Sequence, residues 1–134
     1  MTITTDPITG AEIEAEDDWT LEQGTDQRRV YQYLDSTLTP VSLAGYTARA
    51  HFRRSLNDAT PTISLTTENG GIVLEVDVDE HNVSTGTVSL LFTPTHTTGA
   101  TWSRLKGDVE LINAAGAVMR LVKSYPTLSR EATK

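Results

Sequence analysis

The sequence predicts an all-β fold: a single antiparallel β-sandwich, immunoglobulin-like or jelly-roll-like, of about eight short strands behind an extended N-terminal arm. Three observations carry that reading. Residues 46–53, YTARAHFR, alternate strictly, with Tyr46, Ala48, Ala50 and Phe52 on one side and Thr47, Arg49, His51 and Arg53 on the other. Successive side chains of a strand point to opposite faces, so the segment has one apolar and one basic face; wound as a helix, its arginines would scatter around the axis. Turn chemistry rich in Gly, Pro, Asn and Asp recurs at roughly 8–12-residue spacing, as in a sandwich or small barrel. Threonine is abundant beside valine and isoleucine, the β-branched residues that suit a pleated, half-buried surface.

The 134 residues suffice for one domain with one modest core. With 37% hydrophobic and 22% charged residues, the composition is globular rather than disordered. A net charge of −7 repels a phosphate backbone, so nucleic acid is not an expected partner. The lack of cysteine excludes disulfides, thiolate metal sites and cysteine catalysis. No charged-then-apolar leader and no apolar run of membrane-spanning length is present, so no membrane partner is expected either.

In chain order, residues 1–16 mix Thr, Pro, Gly and acids and read as an arm, docked on a partner or loose, that admits a short strand at Ile3 or Ile13, with the sandwich domain over residues 17–134. Residues 17–23 alternate Trp19 and Leu21 with polar neighbours, giving a first core strand. After the Gly24-Thr25-Asp26 turn, residues 27–35 place Val30, Gln32 and Leu34 on one face and Tyr31 and Tyr33 on the other, a strand bulky on both sides. A Pro- and Thr-containing connection leads to the 46–53 strand. Residues 62–68 follow with Ile63 and Leu65 inward, and then Asn69-Gly70-Gly71, whose tolerance of positive φ predicts a tight hairpin. The return strand, 72–79, points Ile72, Leu74, Val76 and Val78 inward. Residues 87–93 turn Val88, Leu90 and Phe92 inward, and residues 94–102 read as a short helical turn or irregular crossing. Leu105, Gly107, Val109 and Leu111 define the next strand. Ala114-Ala115-Gly116 reverses the chain into residues 117–124, with Met119 and Leu121 inward and Val118, Arg120 and Val122 facing away. A short edge strand around Leu128 completes the set.

No enzyme constellation emerges. His51, His81 and His96 have no ligand-like spacing, and neither a nucleophile elbow nor a phosphate loop is present. No cofactor and no metal site is predicted. Two acidic runs, at Glu12, Glu14, Glu16, Asp17 and Asp18 and at Glu75, Asp77, Asp79 and Glu80, lack the EF-hand pattern and read as solvated faces. Arg49, His51 and Arg53 form a basic stripe: either a candidate subunit contact or a face neutralised by the acids at 75–79. Trp19, Tyr31 and Tyr33, beside the arm, are candidates for a subunit interface. Trp102 and its Thr-rich loop are the candidate site for a sugar.

The stretch PVSLAGYTARAHFRR at 40–54 resembles the D-L-T-G-Y-x-A-R-x-Q-I-R segment of small structural proteins of tailed bacteriophages, including the N-terminal domain of baseplate upper proteins. The Gly24-Thr25 turn, the Thr67–Ile72 segment, the Thr-rich crossing at 95–102 and the Asp108-Val109-Glu110-Leu111, Gly116, Val118, Arg120-Leu121 segment follow that family's order, and Thr133 matches a Thr that recurs near its C-terminus. Lys106-Gly107 stands where the family usually has a Tyr before the Asp, and Lys123-Ser124 where it has a Gly. The resemblance, over about residues 19–134, implies a virion component made in the host cytoplasm. It implies a tail or baseplate adaptor in symmetric multi-copy contact with other virion proteins, or alternatively a capsid decoration or head-fibre protein, and it transfers no catalytic residue.

Overall fold

A computed structural model describes residues 2–4, 15–75 and 85–131 of the chain. Among them are nine strands, β1 (Thr2–Thr4), β2 (Glu16–Glu22), β3 (Gln27–Leu34), β4 (Thr47–Arg53), β5 (Ile63–Thr66), β6 (Ile72–Leu74), β7 (Thr87–Phe92), β8 (Lys106–Ile112) and β9 (Val118–Ser129), and one short helix, α1 (Pro94–Thr97). They make an all-β sandwich of two sheets, a four-stranded one ordered β1-β3-β7-β6 and a five-stranded one ordered β2-β9-β8-β4-β5. The pairing is not purely antiparallel: β1 runs parallel to β3, and β2 parallel to β9. Of the two positions that admit a short strand, Ile3 lies in β1, paired with Tyr33 of β3, while Ile13 lies with the rest of residues 5–14 outside the described residues.

β4 behaves as its alternation predicts. Ala48, Ala50 and Phe52 are buried, and Thr47, Arg49, His51 and Arg53 face outward. The two sheets meet through aromatic rings: Phe92 of β7 lies 5.2 Å from Trp19 of β2 and 5.7 Å from Phe52 of β4, tilted and edge-on as ring quadrupoles favour. Phe52 also explains a glycine in mid-strand. Gly107 is its partner across β4 and β8, and a Cβ at 107 would sit 2.3 Å from the Phe52 ring.

The Asn69-Gly70-Gly71 turn is present but does not make a hairpin. β5 ends the five-stranded sheet and β6 ends the four-stranded one, so the turn carries the chain from one layer to the other. Ile63, Leu65 and Ile72 all point into one core, so the two strands meet through side chains and not through a backbone ladder. The local chemistry serves this arch. Gly70 takes φ +79°, and Asn69 Oδ1 accepts from the Thr66 and Gly71 N–H groups at 2.9 and 2.8 Å. The return strand stops at Leu74. Glu75 turns aside with φ +55°, and Val76 and Val78 lie outside the described residues.

The C-terminal region differs most from its sequence reading. A single twelve-residue strand, β9, replaces two shorter ones. Its register against β8 shifts between Val109↔Val122 and Glu110↔Arg120, which leaves Leu121 as an extra residue. This is a β-bulge. It buries both Leu121 and Val122, correcting the expectation that Val122 faces away, and thereafter Ser124, Pro126 and Leu128 point inward. Pro126 does not break the strand. Its carbonyl accepts from the Leu105 N–H at 3.0 Å, so its missing donor faces residues 103–105, outside β8, and the β2 ladder on the other side loses nothing.

β2 is the longest edge strand, and one side chain closes part of it. Gln27 accepts from the Glu22 N–H and donates to the Thr20 carbonyl, both at 2.9 Å.

Two substitutions test the Phe52–Gly107 contact by denaturant unfolding. Gly107→Ala costs about 1–3 kcal/mol by overpacking, and Phe52→Ala costs about 3–5 kcal/mol by leaving a cavity. The double variant costs less than the sum, because the ring that obstructs the new methyl is gone. Additive losses would show that the two positions are not packed against each other.

Candidate functional site

Trp19, Tyr31 and Tyr33, expected as candidates for subunit contact, are 7%, 0% and 7% exposed and belong to the core of the chain itself. The correction follows from parity. Tyr31 and Tyr33 share the inward face of β3, and Trp19 shares the inward face of β2 with Leu21 and Asp17.

Three of these side chains and their neighbours form a polar chain across the sandwich. Trp19 Nε1–H donates to Ser124 Oγ at 2.8 Å. Ser124 and the Tyr31 hydroxyl are 2.8 Å apart, and Tyr31 donates to Asp17 Oδ2 at 2.8 Å. Arg29 closes the chain with a bidentate pair, Nε to Oδ2 at 2.8 Å and Nη2 to Oδ1 at 2.6 Å, while its guanidinium lies 5.3 Å from the Trp19 ring centroid. Since the carboxylate only accepts and the indole only donates, the direction is fixed: Trp19 to Ser124, Ser124 to Tyr31, Tyr31 to Asp17. Burial pushes the Tyr31 hydroxyl well above its ordinary 10, so it remains a proton donor. Burial alone would raise Asp17, but hydrogen bonds from Arg29 and Tyr31 outweigh it and hold the carboxyl below 3.8. The arrangement is a clamp between β2, β3 and β9 and leaves no group poised for reaction. Sequence reading missed Asp17, Arg29 and Ser124. The parity of Asp17 with Trp19, and of Arg29 with Tyr31, was the available signal.

The basic stripe lies on the outer face of the five-stranded sheet. Among the described residues its acidic partners are on β8. Arg49 Nε meets Glu110 Oε1 at 2.8 Å, and His51 stands opposite Asp108. Glu75 is engaged elsewhere, accepting from the Leu43 N–H at 3.2 Å, and Asp77, Asp79 and Glu80 are outside the described residues. The sign of charge alternates from β2 through β9 to β8, and the β8 acids face Arg49 and the imidazole of His51 on β4. Glu16 of β2 faces Lys123 of β9, which faces Asp108 of β8, which faces His51 of β4. Arg120 reaches Asp108 at 3.4 Å, and Arg104 pairs with Asp18 while its guanidinium covers the Tyr125 ring at 4.8 Å. Burial, with Arg53 and Arg49 adding to it and Glu110 opposing, lowers the His51 pKa below 6.5. Beside the stripe is an open groove of about 520 Å³ whose lining includes Asp18, Leu56, Arg104, Lys106 and Tyr125.

The remaining expectations resolve locally. Trp102 is 7% exposed, so its ring offers no open platform for a sugar. His96 caps α1: its Nδ1 accepts from the Thr93 N–H at 2.9 Å, and burial lowers its pKa below 6.5. Thr97 of α1 in turn holds the β2–β3 turn, accepting from the Gly24 N–H at 2.9 Å. His81 lies outside the described residues, and among those described no three His, Cys, Asp or Glu side chains cluster as a metal site would require.

Tyr31→Phe leaves Asp17 and Ser124 short of a partner in the interior and is expected to cost about 1–3 kcal/mol by denaturant unfolding; an unchanged midpoint would mean that the clamp is idle. Acid acts in two windows. For Asp17 the folded pKa is below the unfolded one, so its contribution is intact above 3.8 and disappears as pH falls through the folded value. For His51 and His96 the folded pKa is also the lower, so stability begins to fall as pH drops below 6.5. In melting curves recorded against pH, His96→Gln flattens the upper window and Asp17→Asn the lower. Identical slopes in wild type and variants would refute the assignment. Compared with protein families and with curated proteins, the chain matches neither a family model nor a curated sequence.

Proposed function

We propose that the protein is a non-enzymatic structural component of a bacteriophage virion, an adaptor of the tail or baseplate region that joins a fibre, spike or neighbouring ring to the tail through protein contacts. The reading is carried by residues 40–54. Their resemblance to the phage segment falls on β4, which supplies both a core face and an outward charged face within one strand. The buried Asp17 and Tyr31 favour a structural role, since they are committed to one another and to the half-buried Arg29. The alternating charge of the outer face argues against a phosphate-binding role, because most cations there already stand opposite an anion. The burial of Trp102 weighs in the same way against a sugar platform.

Mass spectrometry of purified particles, with tails separated from heads, tests the proposal. Peptides of this chain are expected in the tail fraction in multiple copies per particle. Their presence in heads alone would shift the protein to capsid decoration, and their absence from particles would overturn the virion reading.

A further inference from the structure

The charge lattice of the five-stranded sheet breaks at one register position. Arg49 faces Glu110, His51 faces Asp108, Asp108 faces Lys123 and Lys123 faces Glu16, but Arg53 faces Lys106. Like charges directly opposite on one face destabilise a strand pair. Neither residue has a carboxylate partner among the described residues: Arg53 Nε donates to the Asp58 carbonyl at 3.1 Å, and no ion pair is made by Lys106. Acids in the vicinity have other cations, Asp58 with Arg54, Asp18 with Arg104 and Asp108 with Arg120. Lys106 lines the groove of about 520 Å³ together with Tyr125 and with Leu56, 72% exposed, while Arg53 stands across the strand pair; the acids of the lining, Glu16, Asp18 and Asp108, each stand against a cation, Lys123, Arg104 and Arg120. Tyr125 follows Lys106 in the cross-strand row, since Gly107 pairs with Ser124. Lys106, with Arg53 across the strand pair, therefore adjoins the exposed Leu56 and the Tyr125 ring, over which the Arg104 guanidinium lies at 4.8 Å.

We propose that this groove receives an acidic segment of a partner protein, whose carboxylate lies between Arg53 and Lys106 and whose neighbouring apolar side chain lies against Leu56 and Tyr125. Charge complementarity selects the occupant: a carboxylate supplies at this position the one anion that the lattice lacks, and the apolar rim favours a peptide over a bare polyanion. The inference rests on the reading of the protein as one that works by contact with another protein. The two fail separately, because the particle experiment concerns the virion and the groove is tested on the isolated chain.

The test uses the full chain, isotope-labelled, and a short synthetic peptide of alternating glutamate and leucine, followed by amide chemical shifts at low salt. Shifts are expected at Arg53, Leu56, Lys106 and Tyr125 and should fade as salt is added. Lys106→Glu should weaken the peptide by about tenfold or more while raising the melting temperature of the free chain, because an opposed like pair becomes an opposite one. Arg49→Gln, which removes one positive charge from the same face, should leave peptide binding unchanged. The proposal is overturned if the peptide moves none of these amides, if Arg49→Gln weakens it as much as Lys106→Glu, or if a single-stranded oligonucleotide binds the groove more tightly than the peptide.

Discussion

The fold depends on a single polar chain crossing its interior. Two hydroxyls, an indole, a carboxylate and a guanidinium are drawn from β2, β3 and β9, and each hydroxyl both gives and accepts one hydrogen bond. A half-satisfied buried network is costlier than an apolar core, so the chain fixes how the sheets lie on each other. Sliding β3 by one residue would replace Tyr31 with Val30 or Gln32 and strand Asp17 without its donor. The apolar core is tolerant of such slips by comparison, because leucines and valines pack against one another in many ways.

The bulge in β9 is what makes that chain possible. With uninterrupted alternation from Leu121, Lys123 and Tyr125 would enter the core and Ser124 would face water. One extra residue inverts the phase, so Ser124 reaches Tyr31 and Trp19 while Lys123 joins the outer charge lattice. An irregularity of one residue thus sorts the whole second half of the strand.

That is also where the sequence ceased to be readable. The faces of β4 and β8 follow from period-two alternation alone, whereas in β7 Thr87 and Ser89 are buried along with the expected Val88, Leu90 and Phe92; Asn113-Ala114-Ala115-Gly116 reverses the chain as its composition suggests. Alternation reports phase only locally, however, and nothing in Met119-Arg120-Leu121-Val122 marks where the phase changes. The Asn69-Gly70-Gly71 turn was legible as a turn but not as an arch, because its residues specify backbone angles and not which sheet the next strand joins. Asp17 was hidden in an acidic run. Only its parity with Trp19 distinguishes it from Glu16 and Asp18, and its partner Arg29 looked like ordinary surface charge. On the outer face the basic stripe was evident, whereas its partners on β8 depended on a strand order that no local pattern encodes.

Gln27 has a consequence for how such a protein associates. Its carboxamide presents one donor and one acceptor to the side of β2 that no described strand pairs with, and so imitates the next strand of a sheet. Around it the edge carries Glu16, Asp18 and Glu22, all exposed, and the other edge strands are only three or four residues long. Such edges resist indefinite strand-by-strand growth. Molecules of this kind can be crowded together without templating fibrils, because side chains and not the anonymous backbone are what their surface presents.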